Sequence, residues 1–370
     1  MQAALAGAAQ LGVGQTARTG YNNGRSNGPL DSRQRVDCLA MEVFLRSTIS
    51  RVVVGVAVLL LAAPLGAEAQ QAGKVARLGV LLFSTPEGDP SVTAFRQGLT
   101  ELGYVEGKNL TTVYRYAEGK PERLAGLANE LAALKPDVIF AFGGDVAPFA
   151  RTATNAIPIV MAVSDDPVQT RLVASLAKPG GNVTGLTLVS SDLAAKRLQL
   201  LKQAAPAISR VAVLWNPDHV DPEYRETQAA GKVLGVRVQS LEVRGAGDFD
   251  PAFRAAAAEG AEAIIVVSSR LMSFNRQRIL ELAARQRLPV VAGWGPWVEG
   301  GGLLSYGPDL NATARRAAAY VDRVLKGANP ANLPVEQPTK FDLIINLRTA
   351  KALGLTIPAS LRLQAAHVVE

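Results

Sequence analysis

The sequence predicts an α/β protein built as two similar lobes, each an open parallel sheet flanked by helices. Three observations predict it. From Lys74 onward, short apolar runs alternate with helix-patterned segments at the pitch of βαβ units. Two of these runs, Asp137–Phe142 and Pro158–Val163, are apolar without alternation and end in small polar bursts, Gly143-Gly144-Asp145 and Ser164-Asp165-Asp166. Such runs read as strands buried on both faces. Finally, the pattern restarts: Ile157-Pro158-Ile159-Val160 resembles Leu288-Pro289-Val290-Val291, and strands of the second half begin near 210, 236, 262 and 289. A chain of this length splits its core rather than enlarging it.

The elements follow in order. Residues 1–40 are rich in Gly, Ala, Asn, Gln and Arg without usable periodicity, and read as an extension or as sequence upstream of a true start at Met41. Arg46 and Arg51, the apolar Val52–Leu61, the break at Pro64–Gly66 and Ala67-Glu68-Ala69 compose a signal peptide cleaved before Gln70. The alternative, a membrane anchor, needs a longer apolar span. Strands are expected at Val75–Phe83, Leu110–Tyr116, Asp137–Phe142, Pro158–Val163 and Asn182–Leu188, with helices at Ser91–Leu102, Pro121–Leu134, Val146–Thr154 and Pro167–Ala177. The second series places strands at Arg210–Trp215, Val236–Val243, Ala261–Val267 and Pro289–Ala292, and helices at Asp192–Ala204, Pro222–Leu234, Phe249–Glu259 and Phe274–Gln286. A Gly-rich tract, a short strand at Leu303–Tyr306, a helix at Pro308–Lys326, an extended stretch, a strand at Phe341–Asn346 and a short helix to Leu353 complete the chain. Gly354 fits the helix C-cap, and the tail beyond reads as polar.

Composition narrows the function. The formal charge is +7, but residues 1–69 carry six basic and four acidic side chains, leaving 33 basic against 28 acidic in the remainder. That small excess, with no basic run interleaved with aromatics, argues against nucleic acid as a partner. Cys38 is the single cysteine and His219 and His367 are the two histidines, which disfavours a disulfide framework or a structural zinc; no metal and no cofactor are expected. No G-x-G-x-x-G follows the first strand, and neither a Walker loop nor a G-x-S-x-G elbow occurs, so an enzyme is the weaker reading. His219, near Asp218 and Asp221, has no nucleophile beside it and reads as a solvated loop residue.

Ligands of open parallel sheets sit outside the carboxyl ends of the strands. The candidates are therefore taken from those ends. Ser84 and Thr85, before a helix, suit an anion, or are plain loop and capping residues. Gly144 permits close backbone approach, and Asp145 is either a partner for a ligand ammonium or an N-cap. Asp166 precedes Pro167 and reads as a cap, leaving Ser164 and Asp165 to face the cleft. Trp215 can stack on a flat ligand or seal its lobe, with Asn216 in the turn beyond it. Ser268 and Arg270 end another strand, Arg270 as a bidentate carboxylate partner or as a surface residue. Trp294 opens the Gly-rich tract, where hinge packing competes with stacking on ligand.

The segments VARLGVLLFS, ELGYVEGKNL, KPDVIFAFGG, IPIVMAVSDDPV, KPGGNVTGLT, VAVLWNP and PTKFDLIINLRTAKALGLTIPASL, behind an export signal, are similar to those of ABC-transporter substrate-binding proteins of the tryptophan/tyrosine type. The resemblance spans residues 74–362 and is most distinctive in PGGNVTG and Val335–Leu361. It implies the type I periplasmic-binding fold, two Rossmann-like lobes joined by a three-segment hinge. The lobes are then expected at 74–190 plus 293–330 and at 191–292 plus 331–362, after an upstream extension and signal peptide over 1–69. It further implies a monomeric periplasmic carrier of a small amino-acid-like solute, aromatic in some relatives, that delivers its cargo to an inner-membrane permease. A ligand sensor on the same fold is the alternative, but it needs a DNA-binding helix-turn-helix, and residues 1–73 show none.

Overall fold

Val138–Phe142 and Ile159–Val163 are buried at every position. An apolar run with helices over both faces has no solvent side on which to place polar residues. A computed structural model describes residues 75–370 except 86, 88, 165, 189, 220 and 221. The expected extension and signal peptide lie outside the described residues.

The first sheet contains β1 (Ala76–Leu82), β2 (Leu110–Tyr116), β3 (Val138–Phe142), β4 (Ile159–Val163) and β5 (Val183–Thr187) in the order β2-β1-β3-β4-β5. All its pairings are parallel, with Leu78 opposite both Thr112 and Val138. Among its helices are α1 (Pro90–Glu101), α2 (Leu124–Ala133) and α3 (Ala147–Ala153), and the later helix Leu310–Leu325 packs beside α1. Strand parity sorts the core. Leu78, Val80, Leu82, Phe140 and Phe142 pack with Phe95 of α1 on one face, while Leu81, Ile139 and Ala141 pack with Leu127 and Leu131 of α2 on the other.

The second half supplies α4 (Ala194–Ala204), β6 (Arg210–Trp215), α5 (Glu223–Leu234), β7 (Arg237–Glu242), α6 (Phe249–Ala258), β8 (Ala263–Val266), α7 (Arg270–Phe274), α8 (Arg276–Arg285), β9 (Val290–Ala292), α9 (Gly295–Glu299) and β10 (Leu304–Gly307). After α10 (Leu310–Leu325) come β11 (Asp342–Asn346), α11 (Leu347–Ala352), α12 (Ala359–Gln364) and β12 (His367–Val369). The second sheet has the order β12-β11-β10-β9-β8-β6-β7. Read from β7, its first five strands repeat the winding of the first sheet. Only the β10–β11 pair is antiparallel. The chain crosses between the sheets after β5, after β10 and before β11.

Four expectations are corrected. Residues 293–307, expected with the first lobe, place α9 and β10 in the second sheet. Residues 331–338, expected with the second lobe, stay on the first: Val335 N–H donates to Leu176 O, and Glu336 N–H to Gly185 O. Pro167–Ala177 forms turns, because Arg171 takes φ +57° and stops the helix after one turn. The tail adds an edge strand, Ile344–Asn346 pairing with His367–Val369. As anticipated, Gly354 follows its helix at φ +75°.

Candidate functional site

The order 2-1-3-4-5 leaves a crevice where the winding reverses, between β1 and β3 in one sheet and between β6 and β8 in the other. The residues just past these strand ends face one another across the cleft between the lobes. From the first lobe come Ser84, Asp89, Gly143, Asp145 and Ser164, and from the second His219, Ser268 and Arg270.

The short helix α7 makes the principal bridge. Arg270 N–H donates to Asp145 Oδ2 at 3.0 Å. The Arg270 guanidinium pairs with Asp89 and lies 4.6 Å from the centre of the Phe142 ring, a cation–π contact. Leu271 enters the apolar cluster of the first lobe, and Phe274 meets Phe83 edge-on at 6.0 Å. Gly143 admits the arginine: at φ +125°, a Cβ there would collide with the Arg270 stem. Asp89 Oδ1 also caps α1 by accepting from Ser91 N–H at 3.0 Å.

Burial moves both charges toward neutrality. It pulls the Arg270 guanidinium down to about 10, still charged at neutral pH. It pushes the Asp145 carboxyl up, opposed by the charge of His219 and by backbone N–H donors including those of Arg270 and Leu271. Deeper in, Ser164 Oγ donates to Ser268 O at 3.2 Å and lies 3.3 Å from His219 Nε2.

Two cavities adjoin these groups. The inner one, about 20 Å³, is bounded by Phe142, Gly143, Ser164, Ser268, Arg270 and Trp294 and has room for little more than a water. The outer groove, about 540 Å³, is of small-molecule size and is lined by Ser84, Asp89, Arg270, Phe274, Trp294 and Trp297 among others. Among the described residues, the Ser84 hydroxyl and Arg270 Nε are buried there without hydrogen-bond partners.

The structure thus brings Ser84, Asp145, Ser164, Ser268, Arg270 and Trp294 to one cleft. Thr85 is half-buried beside Ser84, and Gly144 is buried beside Gly143. Asp165 lies outside the described residues. Asp145 does not cap α3, whose N-cap is Val146 with no side-chain bond. Trp215 lies elsewhere: its ring stacks on Tyr224 at 4.6 Å and its indole N–H donates to Ser240 Oγ. Asn216 accepts from Asp218 N–H and closes the turn after β6. His219 is 3% exposed rather than solvated, with Nε2 3.3 Å from Ser164 Oγ of the opposite lobe. Asp89 and Phe274 were not candidates from sequence; Asp89 carried only the signal of an N-cap before Pro90.

The chain is 26% identical over 277 residues to a tyrosine-binding protein of Clostridioides difficile, covering 74% of this chain and 79% of that one. The crystal structure of an ABC domain in complex with L-Trp from Streptococcus pneumoniae matches with a TM-score of 0.74 at 26% identity, covering 80% and 99% of the two chains. The ligand-free, open structure of a substrate-binding protein with adhesive properties from Clostridium difficile has the same identity and coverages but a TM-score of 0.56. A family model described as ABC transporter substrate binding protein matches residues 79–369. The chain belongs to the ABC transporter substrate-binding protein family, a family of binding proteins rather than enzymes.

Proposed function

We propose that the protein is the periplasmic solute-binding component of an ABC importer and that it holds a small amino-acid-like solute between its lobes. The observation that carries this reading is the meeting, past the strand ends of both lobes, of the half-buried Arg270 guanidinium with two carboxylates, the buried Asp89 and the half-buried Asp145. Arg270 can take a carboxylate in a bidentate pair, and Asp89 or Asp145 can take an ammonium. Trp294 and Phe274 offer apolar surface beside these charges, which suits an aromatic side chain. A zwitterion entering the open cleft would exchange the Arg270–Asp89 pair for its own two charges. Thr85 and Gly144 belong to the same proposed surface as the cleft residues above.

Closure around the solute is supported by the likeness to the L-Trp complex, which exceeds that to the open structure at equal coverage. Two lobes keeping their internal folds while changing their mutual angle give that pattern. In this reading the signal peptide directs export, cleavage falls before Gln70, and the closed, loaded monomer is what the permease recognises. Among the described residues no helix is long and apolar enough to cross a membrane.

Thermal unfolding against a panel of amino acids tests the proposal. A ligand at about 100 times its Kd adds about 2.7 kcal/mol to stability and raises the midpoint by several degrees. A rise with L-tyrosine, L-tryptophan or another amino acid supports the reading, and no shift with any of them rejects an amino-acid solute.

A further inference from the structure

Behind the cleft lies a polar cluster that no solute-contact argument explains. Arg197 on α4 and Glu223 in the first turn of α5 are both 0% exposed, with Nη1 and Oε1 2.6 Å apart. Taking both charges out of water costs several kcal/mol each, and an apolar pair would fill the space without that cost. An apolar pair cannot supply bonds of fixed direction, and those directions define what the pair does.

From Arg197, Nη1 donates to Ser190 O at 3.0 Å and to Ser190 Oγ at 3.1 Å, and Nε donates to Tyr306 O at 2.8 Å. Glu223 Oε2 accepts from Ser190 Oγ at 2.9 Å and from Ser268 N–H at 3.1 Å. Ser190 and Ser268 also join through their hydroxyls at 2.9 Å. Ser190 is the root of the crossing that follows β5, and Tyr306 precedes Gly307 at the root of the crossing that follows β10. Ser268 lies at the cleft, where its carbonyl takes the Ser164 hydroxyl of the opposite lobe. Gly293 leaves room for the guanidinium, since a Cβ there would stand 3.0 Å from Arg197 Nη2.

We propose that Arg197 and Glu223 are a positioning pair for closure. They weld the second-lobe roots of two crossings to Ser268, so the closing rotation is confined to the segments beyond Ser190 and Gly307 and is felt at the cleft. The inference rests on the two-lobed solute-binding reading above and adds to it the residues that set the hinge.

The test measures the distance between lobes. Cys38 is the only cysteine, so the full chain carrying Cys38→Ser accepts spin labels at Lys108→Cys and Val233→Cys, both exposed and one in each lobe. Distance distributions are recorded without ligand and with L-tyrosine or L-tryptophan. Arg197→Met/Glu223→Leu removes both charges together and leaves neither orphaned. Ser190→Ala removes one hydroxyl and decides the matter should the double variant not fold. The expected result is a broader ligand-free distribution in both variants, with Ser190→Ala, which removes three hydrogen-bond contacts, changing the ratio of closed to open molecules by at least the factor of about five that one hydrogen bond is worth. Arg197→Lys, which keeps the charge but not the planar fork, should fall between. Distributions that overlay the wild type, even with a lowered melting temperature, would reduce the pair to an internal brace and overturn the proposal. A wild type unmoved by either amino acid would count against the solute reading, while the ligand-free comparison would still decide the role of the pair.

Discussion

Replacing Arg270 by methionine removes the guanidinium that reaches across the cleft to Asp89 while keeping most of its stem volume. In the closed form the Asp89 side chain is 7% exposed and faces that guanidinium. Without it, closing the lobes would bury a carboxylate with no counter-charge. Removing one partner of a buried pair costs about 3–5 kcal/mol, a factor of roughly 10²–10⁴ in an equilibrium. The contact with the Phe142 ring adds about 0.5–2 kcal/mol to the loss. Protonation of Asp89 can relieve the orphaned charge, so the observed factor should lie toward the lower end. With the lobes apart both side chains would be hydrated, so the loss should fall on closure and not on the folding of either lobe. Calorimetric titration with the solute found in the thermal screen should therefore show at least about 100-fold weaker binding. Interlobe distances should shift toward the open form, and far-ultraviolet circular dichroism should be unchanged. Asp89→Asn/Arg270→Met should recover the ligand-free closed population, because nothing charged is left orphaned, without recovering affinity. An Arg270→Met variant that binds within threefold of wild type would refute the bridging role of this residue.

Other perturbations test separate parts of the account. Burial raises the Asp145 carboxyl above its ordinary value of 3.8, so a closed form that buries it should hold a proton that a form exposing it to water would release. The sign follows: in ligand-free protein, closure is strongest in acid and weakens as pH rises from 3.8 through the raised value, and Asp145→Asn should flatten interlobe distance against pH. Gly143→Ala puts a methyl into the path of the Arg270 stem and should hold the cleft open, read as lost solute affinity with wild-type secondary structure. Gly185, at φ +136°, packs against the backbone of Met161 across the β4–β5 pairing. Gly185→Ala should cost about 1–3 kcal/mol or more by denaturant titration, since strand separation adds to the backbone strain. Trp215→Ala should leave solute affinity within twofold of wild type while lowering the melting temperature, because the ring seals α5 against its sheet.

The architecture was legible because buried parallel strands have a compositional mark of their own. VIFAF and IVMAV have no polar face, and each is followed by residues suited to a turn rather than to another strand. The strand-end rule then located most of the cleft. Trp215 shows where that rule needs parity as well. Val211 and Val213 of β6 pack on one face of the sheet while Ala212 and Leu214 pack on the other, and Trp215 continues the Val211–Val213 face beneath α5. The alternation was readable in VAVLW; which face is covered by its own helix was not. The Asp89–Arg270 pair was illegible for a different reason. Each residue has a sufficient local role, a helix cap and a helix start, and only the approach of the two sheets across the cleft gives them a common one. The burial of His219 has the same origin. Arg171 illustrates a local failure, since a helix-like apolar pattern does not reveal a residue that enters the left-handed region.

The central claim is that a small solute is clamped between the lobes and released unaltered. Equilibrium dialysis of the purified protein against isotopically labelled amino acids, followed by denaturation and mass analysis of what is released, tests it most directly. Saturable binding of one molecule per chain is expected for at least one amino acid, recovered with its mass unchanged and lost in Arg270→Met. Absence of saturable binding across the amino acids, or recovery of a chemically altered molecule, would contradict it.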